Sequence, residues 1–331
     1  MRGLDLARLQ AYLGSPRELT GRMFAGGRSN LTYAVTDGEQ RWVLRRPPLG
    51  HVLPTAHDMT REHRVLEALS KAGFPAPRPV LLCTDTEVIG APFYLMEHVD
   101  GTIYRDAAQL EALGPAAMRT LGMSLVDTLA DLHALDPAAI GLDGFGRPEG
   151  FNQRQVSRWK KQLDASRSRD VAGIDELHAR LAVDIPAGGP GAVVHGDFRL
   201  DNVLIGDELR VNAVLDWEMS TLGDPLSDVA LMLVYADLPL NPGAGGRLSA
   251  PLRVPGHPSL AELSARYAER SRRDVSDLHW YVGFAAFKLA VILEGVHYRY
   301  VQGQTVGDGF ETIGQMVGPL VMRGHEALEG H

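Results

Sequence analysis

One stretch of this chain constrains its fold more than any other. The apolar runs Val203 to Ile205 and Val211 to Leu215 flank Gly206-Asp207, a turn-forming pair, which is the pattern of a short antiparallel hairpin. A hairpin returns its end beside its start. Asn202 at the entry and Asp216 at the exit are thereby brought together, while Asp197 sits in the loop leading in. Two carboxylates and an amide oxygen then converge on one place. Hard oxygen donors of this kind suit Mg²⁺, which takes few protein ligands and fills its remaining octahedral positions with water and phosphate oxygens. Zinc would require histidine or cysteine instead.

The rest of the chain runs from strands to helices. Leu31, Tyr33 and Val35 alternate with polar residues, and Arg41 to Arg45 follows the turn Asp37-Gly38 as a second strand. A helix is expected from the N-cap Asp58 to Lys71, stopped by Gly73 and Pro75, and a third strand region lies at Pro92 to Glu97. Beyond Asp100-Gly101 leucines recur at helical spacing, at 121, 125, 129 and 132, and most later segments are helical. This places a lobe boundary near 99–101 and gives an α+β class: a small antiparallel-sheet lobe over 1–99 and a larger, mainly helical lobe over 100–331. On the first helix Met59, Glu62, Leu66 and Leu69 share a face, so Glu62 sits in the apolar stripe. A carboxylate buried there needs a cation, for which Arg45 is the best placed and Arg46 the second candidate.

The run His195-Gly196-Asp197, with Asn202 five positions after the aspartate and Asp216 nineteen after it, resembles the catalytic and metal-binding segment of the aminoglycoside phosphotransferase family. That resemblance implies a bilobal protein-kinase-like fold, ATP as phosphoryl donor, Mg²⁺, and a small hydroxylated acceptor. It assigns to Asp197 the acceptor hydroxyl, to Asn202 and Asp216 the metal, and to His195 and Asp228 the support of the loop. It pairs Arg45 with Glu62 at the ATP phosphates, where the family commonly has lysine; arginine keeps the charge and can grip two phosphate oxygens. Gly27, Ser29 and Asn30 would cover the phosphates, and the main chain of Glu97 and Val99 would meet adenine. Trp217 and Glu218 are assigned to the acceptor side, with a core role the alternative for Trp217. Asp224 before Pro225 reads as a helix cap. The segments Trp42 to Pro48 and Ala56 to Glu62 are similar to a subgroup of kinase-like domains fused to acyl-CoA dehydrogenases, which implies hydroxyacyl-CoA or a related metabolite as acceptor. A nucleotide-binding pseudokinase is disfavoured by the presence of Asp197, Asn202 and Asp216 together, and a protein kinase by the twelve residues from Asp216 to Asp228, which leave little room for an activation loop.

Composition removes other classes. Thirty-three basic against 41 acidic side chains leave a net charge of −8, which repels nucleic acid. The single cysteine, Cys83, forms neither an intramolecular disulfide nor a thiolate metal site, as expected of a cytoplasmic protein. Phe284 to Leu293, the most apolar stretch, is about half the length needed to span a bilayer and contains Lys288, so it is expected in the core rather than in a membrane.

Overall fold

The computed structural model describes residues 1–24, 30–49, 57–238, 253–305 and 309–330. Its first part is an antiparallel sheet with helices on both faces. Helix α1 (Leu6–Leu13) is capped by the Asp5 side chain and closed by Gly14 at φ +62°. Strands β1 (Thr20–Met23), β2 (Leu31–Thr36) and β3 (Arg41–Arg46) follow, then α2 (Met59–Lys71), β4 (Pro79–Cys83), α3 (Thr86–Ile89) and β5 (Phe93–Glu97). The strand order is β1-β2-β3-β5-β4. The turn between β2 and β3 is fixed by Asp37, whose Oδ1 accepts from the N–H groups of Glu39 (3.0 Å) and Gln40 (2.7 Å), and by Gly38 at φ +92°.

Strand β5 shows how one short sequence serves two cores. Phe93 and Leu95 join Leu9, Tyr33, Val35 and Leu44 beneath α1 and α3, while Tyr94 and Met96 face α2 and join Val65, Leu66 and Leu69. Each such fully buried side chain stabilises the fold by about 1.5–3 kcal/mol. Helix α2 begins where expected, with Asp58 Oδ1 accepting from Thr60 N (3.0 Å) and Arg61 N (3.1 Å), and ends at Gly73 with φ +72°.

The sheet has five strands where the sequence suggests three regions. Four-residue β1 has three exposed positions and no apolar alternation, and β4 is a nearly continuous apolar run starting at a proline, so neither carries a period-two signal.

The second part is mostly helical: α4 (Ala107–Glu111), α5 (Pro115–Ala134), α6 (Phe151–Ser166), α7 (Ile174–Val183), then β6 (Ala192–Val194), β7 (Val203–Ile205), β8 (Val211–Val214), β9 (Thr221–Gly223), α8 (Leu226–Asp237), α9 (Leu260–Ser271), α10 (Leu278–Val301) and α11 (Val317–Leu328). Two small antiparallel pairs, β6 with β9 and β7 with β8, hold the central loops. The two parts are stitched by Val214 N donating to Pro75 O (2.8 Å) and by Arg61 Nη2 donating to Phe145 O (2.6 Å) and Ser220 O (3.1 Å). The apolar stretch expected at Phe284 to Leu293 belongs to a longer helix than foreseen. At 24 residues α10 is long enough to cross a membrane by length and composition, yet 72% of its most apolar window is buried inside the fold, where α8, α6 and α11 pack around it.

Candidate active site

The loop after β6 is built on buried polar contacts. Strand β6 is wholly buried and delivers His195 and Gly196 against the first turn of α8. There Asp228, 1% exposed, accepts from His195 N (2.5 Å) and Gly196 N (2.8 Å). Burial alone would raise its carboxyl, but hydrogen bonding from His133 and from the Gly196 amide, with the nearby imidazoles, brings it below the usual range, so it stays charged. On the other side Lys288 of α10 donates to Gly196 O (3.0 Å). Only glycine fits between these anchors: Gly196 has φ +84°, and a Cβ there would lie 2.7 Å from Met219 O.

His195 is fully buried, and its tautomer follows from its partners. Leu215 O, 2.8 Å from Nε2, can only accept, while Asp197 N, 3.2 Å from Nδ1, can only donate. The proton therefore sits on Nε2, and the imidazole ties the hairpin exit to the loop. Asp197, so anchored, accepts from Tyr235 Oη at Oδ1 (2.9 Å) and from Asn202 Nδ2 at Oδ2 (3.0 Å). Burial and the Asp197 carboxylate push the Tyr235 phenol well above its ordinary value, which keeps it a donor.

The hairpin closes as the sequence predicts, with Leu215 N donating to Asn202 O (2.8 Å). Asp216 then adopts φ +68° and ψ 61°, a left-handed conformation that aspartate tolerates better than most residues and that ends the strand. Its Oδ1 meets Arg45 Nη2. Arg45 Nε lies 2.8 Å from Glu62 Oε2, a charge contact off hydrogen-bond alignment, and Nη2 is also 3.4 Å from Glu218 Oε2. Glu62 is 2% exposed and accepts in addition from Asn30 Nδ2 (2.7 Å) and Tyr94 Oη (2.9 Å). One guanidinium thus faces three carboxylates. Burial pulls Arg45 down, but Glu62, Tyr94, Asp216 and Glu218 together hold it above its ordinary value, a permanent cation. Arg46, the second candidate, turns away to Gly3 O and Ile89 O.

The divalent ion can be tested against these donors. Asn202 uses Nδ2 on Asp197, which leaves Oδ1 as its acceptor atom, and Asp216 already holds a cationic group. One amide and one carboxylate oxygen fit Mg²⁺, which completes its shell from phosphate and water. Among the described residues no group of three His, Cys, Asp or Glu side chains gathers to hold a metal by itself.

Other expected residues fall differently. Gly27 and Ser29 lie outside the described residues, and Asn30 has its amide donor on Glu62 and Glu218 (3.1 Å). Glu97 N donates to Arg78 O (2.9 Å) and His98 N to Arg41 O (3.2 Å), so Val99 carries the first amide past β5 with no backbone partner among the described residues. Trp217 is not on the acceptor side. It is 3% exposed, its ring centroid 4.7 Å from that of His195 and its Nε1 donating to Val214 O (2.9 Å), because a large aromatic is needed to fill the space under the loop. Pro225, not Asp224, is the N-cap of α8, and Asp224 lies one residue earlier with its Oδ1 accepting from Leu226 N (3.0 Å).

Sequence reasoning missed Tyr235, Lys288 and a wide cleft. Tyr235 lies seven residues after Asp228 on α8, hence on the same face, a spacing that could have flagged it. The cleft, about 710 Å³, is bounded by α2, α6, α10 and the loop at Gly196, with Glu218 at its edge.

The model of the phosphotransferase enzyme family matches residues 20–263 of this chain. Acyl-CoA dehydrogenase family member 11 of Gallus gallus is 39% identical over 97% of this chain and 43% of its own length, and the probable acyl-CoA dehydrogenase IBR3 of Arabidopsis thaliana is 32% identical over 93% and 40%. The chain therefore spans less than half the length of these relatives. A putative aminoglycoside phosphotransferase from Ralstonia eutropha superposes with a TM-score of 0.84 at 31% identity, covering 98% of each chain. A thermostable aminoglycoside phosphotransferase APH(4)-Ia mutant, solved as a ternary complex with AMP-PNP and hygromycin B, shares the fold at a TM-score of 0.61 and 15% identity over 98% of this chain and 97% of that one.

Proposed function

Because the chain belongs to the phosphotransferase enzyme family, we propose that it transfers the γ-phosphoryl group of ATP, with Mg²⁺, to a hydroxyl of a small molecule. The observation that supports this is that Asn202 holds the Asp197 carboxylate (3.0 Å) and accepts from Leu215 N (2.8 Å), the residue before Asp216, whose own carboxylate meets Arg45. The acceptor oxygen attacks the γ-phosphorus, the bond to the β–γ bridging oxygen breaks, and ADP leaves with that electron pair. The hydroxyl proton passes to the Asp197 carboxylate, which Tyr235 and Asn202 hold in a single orientation. Asn202 and Asp216 would hold Mg²⁺, and the ion would supply neutralisation of phosphate charge there. Arg45, positioned by Glu62 and beside Asp216, would supply a second cation to the phosphates.

A hydroxyacyl-CoA or related metabolite is favoured as acceptor. The curated relatives that match nearly the whole chain are acyl-CoA dehydrogenase family members, whereas the aminoglycoside phosphotransferase solved with hygromycin B shares only the fold. The test is a nucleotide-consumption screen over hydroxyacyl-CoA thioesters, other hydroxylated metabolites and aminoglycosides, with and without chelator. Consumption that needs both an acceptor and Mg²⁺ supports the proposal; none with any acceptor, or consumption indifferent to chelator, refutes it.

A further inference from the structure

The charge of the cleft narrows the chemistry of what enters it. Helix α6 turns Phe151, Arg154, Gln155, Arg158 and Trp159 toward it, residues three or four apart and so on one face. Trp159, 7% exposed, roots that face in the core, while Arg154 and Arg158 stand exposed above it. Arg147 enters from the preceding loop, Arg61 from α2 and Lys288 from α10. Against these five cations the lining offers two carboxylates. Glu218 faces Arg45 and Asn30, and Asp228 is engaged by the catalytic loop. In a chain with 41 acidic and 33 basic side chains, this is a local reversal of sign.

Among the described residues these cations also have no ion-pair partner. Arg61 donates to Phe145 O (2.6 Å) and Ser220 O (3.1 Å) and stacks on the Phe145 ring, Arg154 holds Glu149 O and Arg147 O, and Lys288 donates to Gly196 O. These partners are neutral carbonyls, which fix geometry and leave the charge in place. Among the described residues no carboxylate forms an ion pair with Arg61, Arg147, Arg154, Arg158 or Lys288. Burial lowers the Lys288 ammonium; the Asp197 and Asp228 carboxylates pull it back up and the nearby Arg158 pushes it down.

We propose that this cleft is an anion clamp for the acceptor: the hydroxylated substrate carries a phosphate group that docks on Arg147, Arg154 and Arg158, while Gly196 at the cleft wall sets the acceptor beside Asp197. The inference rests on the phosphotransferase reading of Asp197 for the identity of the bound molecule, but the clamp itself is a binding site. A guanidinium matches phosphate in shape and charge, whereas a polycationic aminoglycoside would meet like charge. The phosphate can belong to a CoA thioester or to a sugar phosphate, and these are separable.

Calorimetry with CoA, pantetheine, a hexose phosphate and kanamycin tests the clamp without any turnover. CoA should bind at least tenfold more tightly than pantetheine, which lacks its nucleotide phosphates, and each arginine removed should weaken CoA about tenfold. The Arg147→Glu/Arg158→Glu variant changes two exposed side chains, and Arg147→Gln/Arg158→Gln repeats the test without reversed charge. CoA binding that weakens in both while pantetheine is unaffected supports a clamp for CoA, and the same pattern with the hexose phosphate supports a clamp for sugar phosphates. Equal binding of CoA and pantetheine with no binding of the hexose phosphate, insensitivity to both variants, or kanamycin as the tightest ligand overturns the clamp. Transfer to kanamycin or a pantetheine thioester in that case would leave the proposed function standing, whereas a working clamp without turnover would remove only the latter.

Discussion

Replacing Arg45 by methionine keeps most of the side chain's length and removes the cation that Glu62, 2% exposed, faces at 2.8 Å. Deleting one partner of a buried ion pair costs about 3–5 kcal/mol, since the remaining charge is left uncompensated. Asn30 Nδ2 and Tyr94 Oη still hold the Glu62 carboxylate at 2.7 and 2.9 Å, so the lower end, about 3 kcal/mol, is expected. Glu62→Gln leaves Arg45 with Asp216 and Glu218 and should cost about 1–2 kcal/mol. In Arg45→Met/Glu62→Gln no buried charge is stranded, so the double variant should recover about 2 kcal/mol relative to the sum of the singles. The deficit of the methionine variant must also depend on pH. Burial raises the Glu62 carboxyl above its ordinary 4.5 against the pull of Arg45, and without Arg45 it rises further. A raised carboxyl holds a proton in the folded state that the unfolded state has released, so stability falls as pH climbs through the window above 4.5. The methionine variant should therefore lie closest to wild type at low pH. Urea unfolding of the four proteins at about pH 7.5 and about pH 5.5 measures all of this. A methionine variant within about 1 kcal/mol of wild type at both, or a strictly additive cycle, would refute the reasoning.

Tyr235→Phe removes the donor on Asp197 Oδ1 and should lower acceptor-dependent kcat about tenfold with nucleotide affinity unchanged, as read by steady-state kinetics and nucleotide titration. A loss of nucleotide affinity instead would place Tyr235 elsewhere in the cycle. Acid should destabilise the fold below about pH 6.5 through His133, which burial holds below its ordinary 6.5 between Tyr267 and Asp228. The unfolded chain takes up a proton there that the folded chain refuses, so stability present above 6.5 is lost as pH falls beneath it. Melting temperature should drop from about pH 7 to about pH 5.5, less steeply in His133→Gln; parallel curves would exclude His133.

What was legible in the sequence was local or paired by necessity. The Asp58 cap, the Gly73 stop and the turn at Asp37-Gly38 need only neighbouring residues, and the hairpin around Gly206-Asp207 brought Asn202 opposite Leu215, the residue before Asp216, by its own closure. The Arg45–Glu62 pair was legible because a carboxylate in an apolar stripe must find a cation. The contribution of Tyr235 was not, since a tyrosine in an apolar run looks like core and its partner Asp197 lies 38 residues away. The sequence leaves Trp217 open between the acceptor, suggested by adjacency to Asp216, and the core, and the helical turn at Trp217–Met219 rolls the indole under His195. The cationic cleft draws residues from α2, α6, α10 and a loop, and only the folded chain places them on one wall.

In the proposed phosphoryl transfer Asp197 receives the acceptor proton. The direct measurement is incorporation of label from γ-labelled ATP into the acceptor by wild type and Asp197→Asn, with nucleotide binding measured on the same samples. The transfer rate should fall about 10²–10⁴-fold with nucleotide affinity retained. Transfer by Asp197→Asn at the wild-type rate would contradict it.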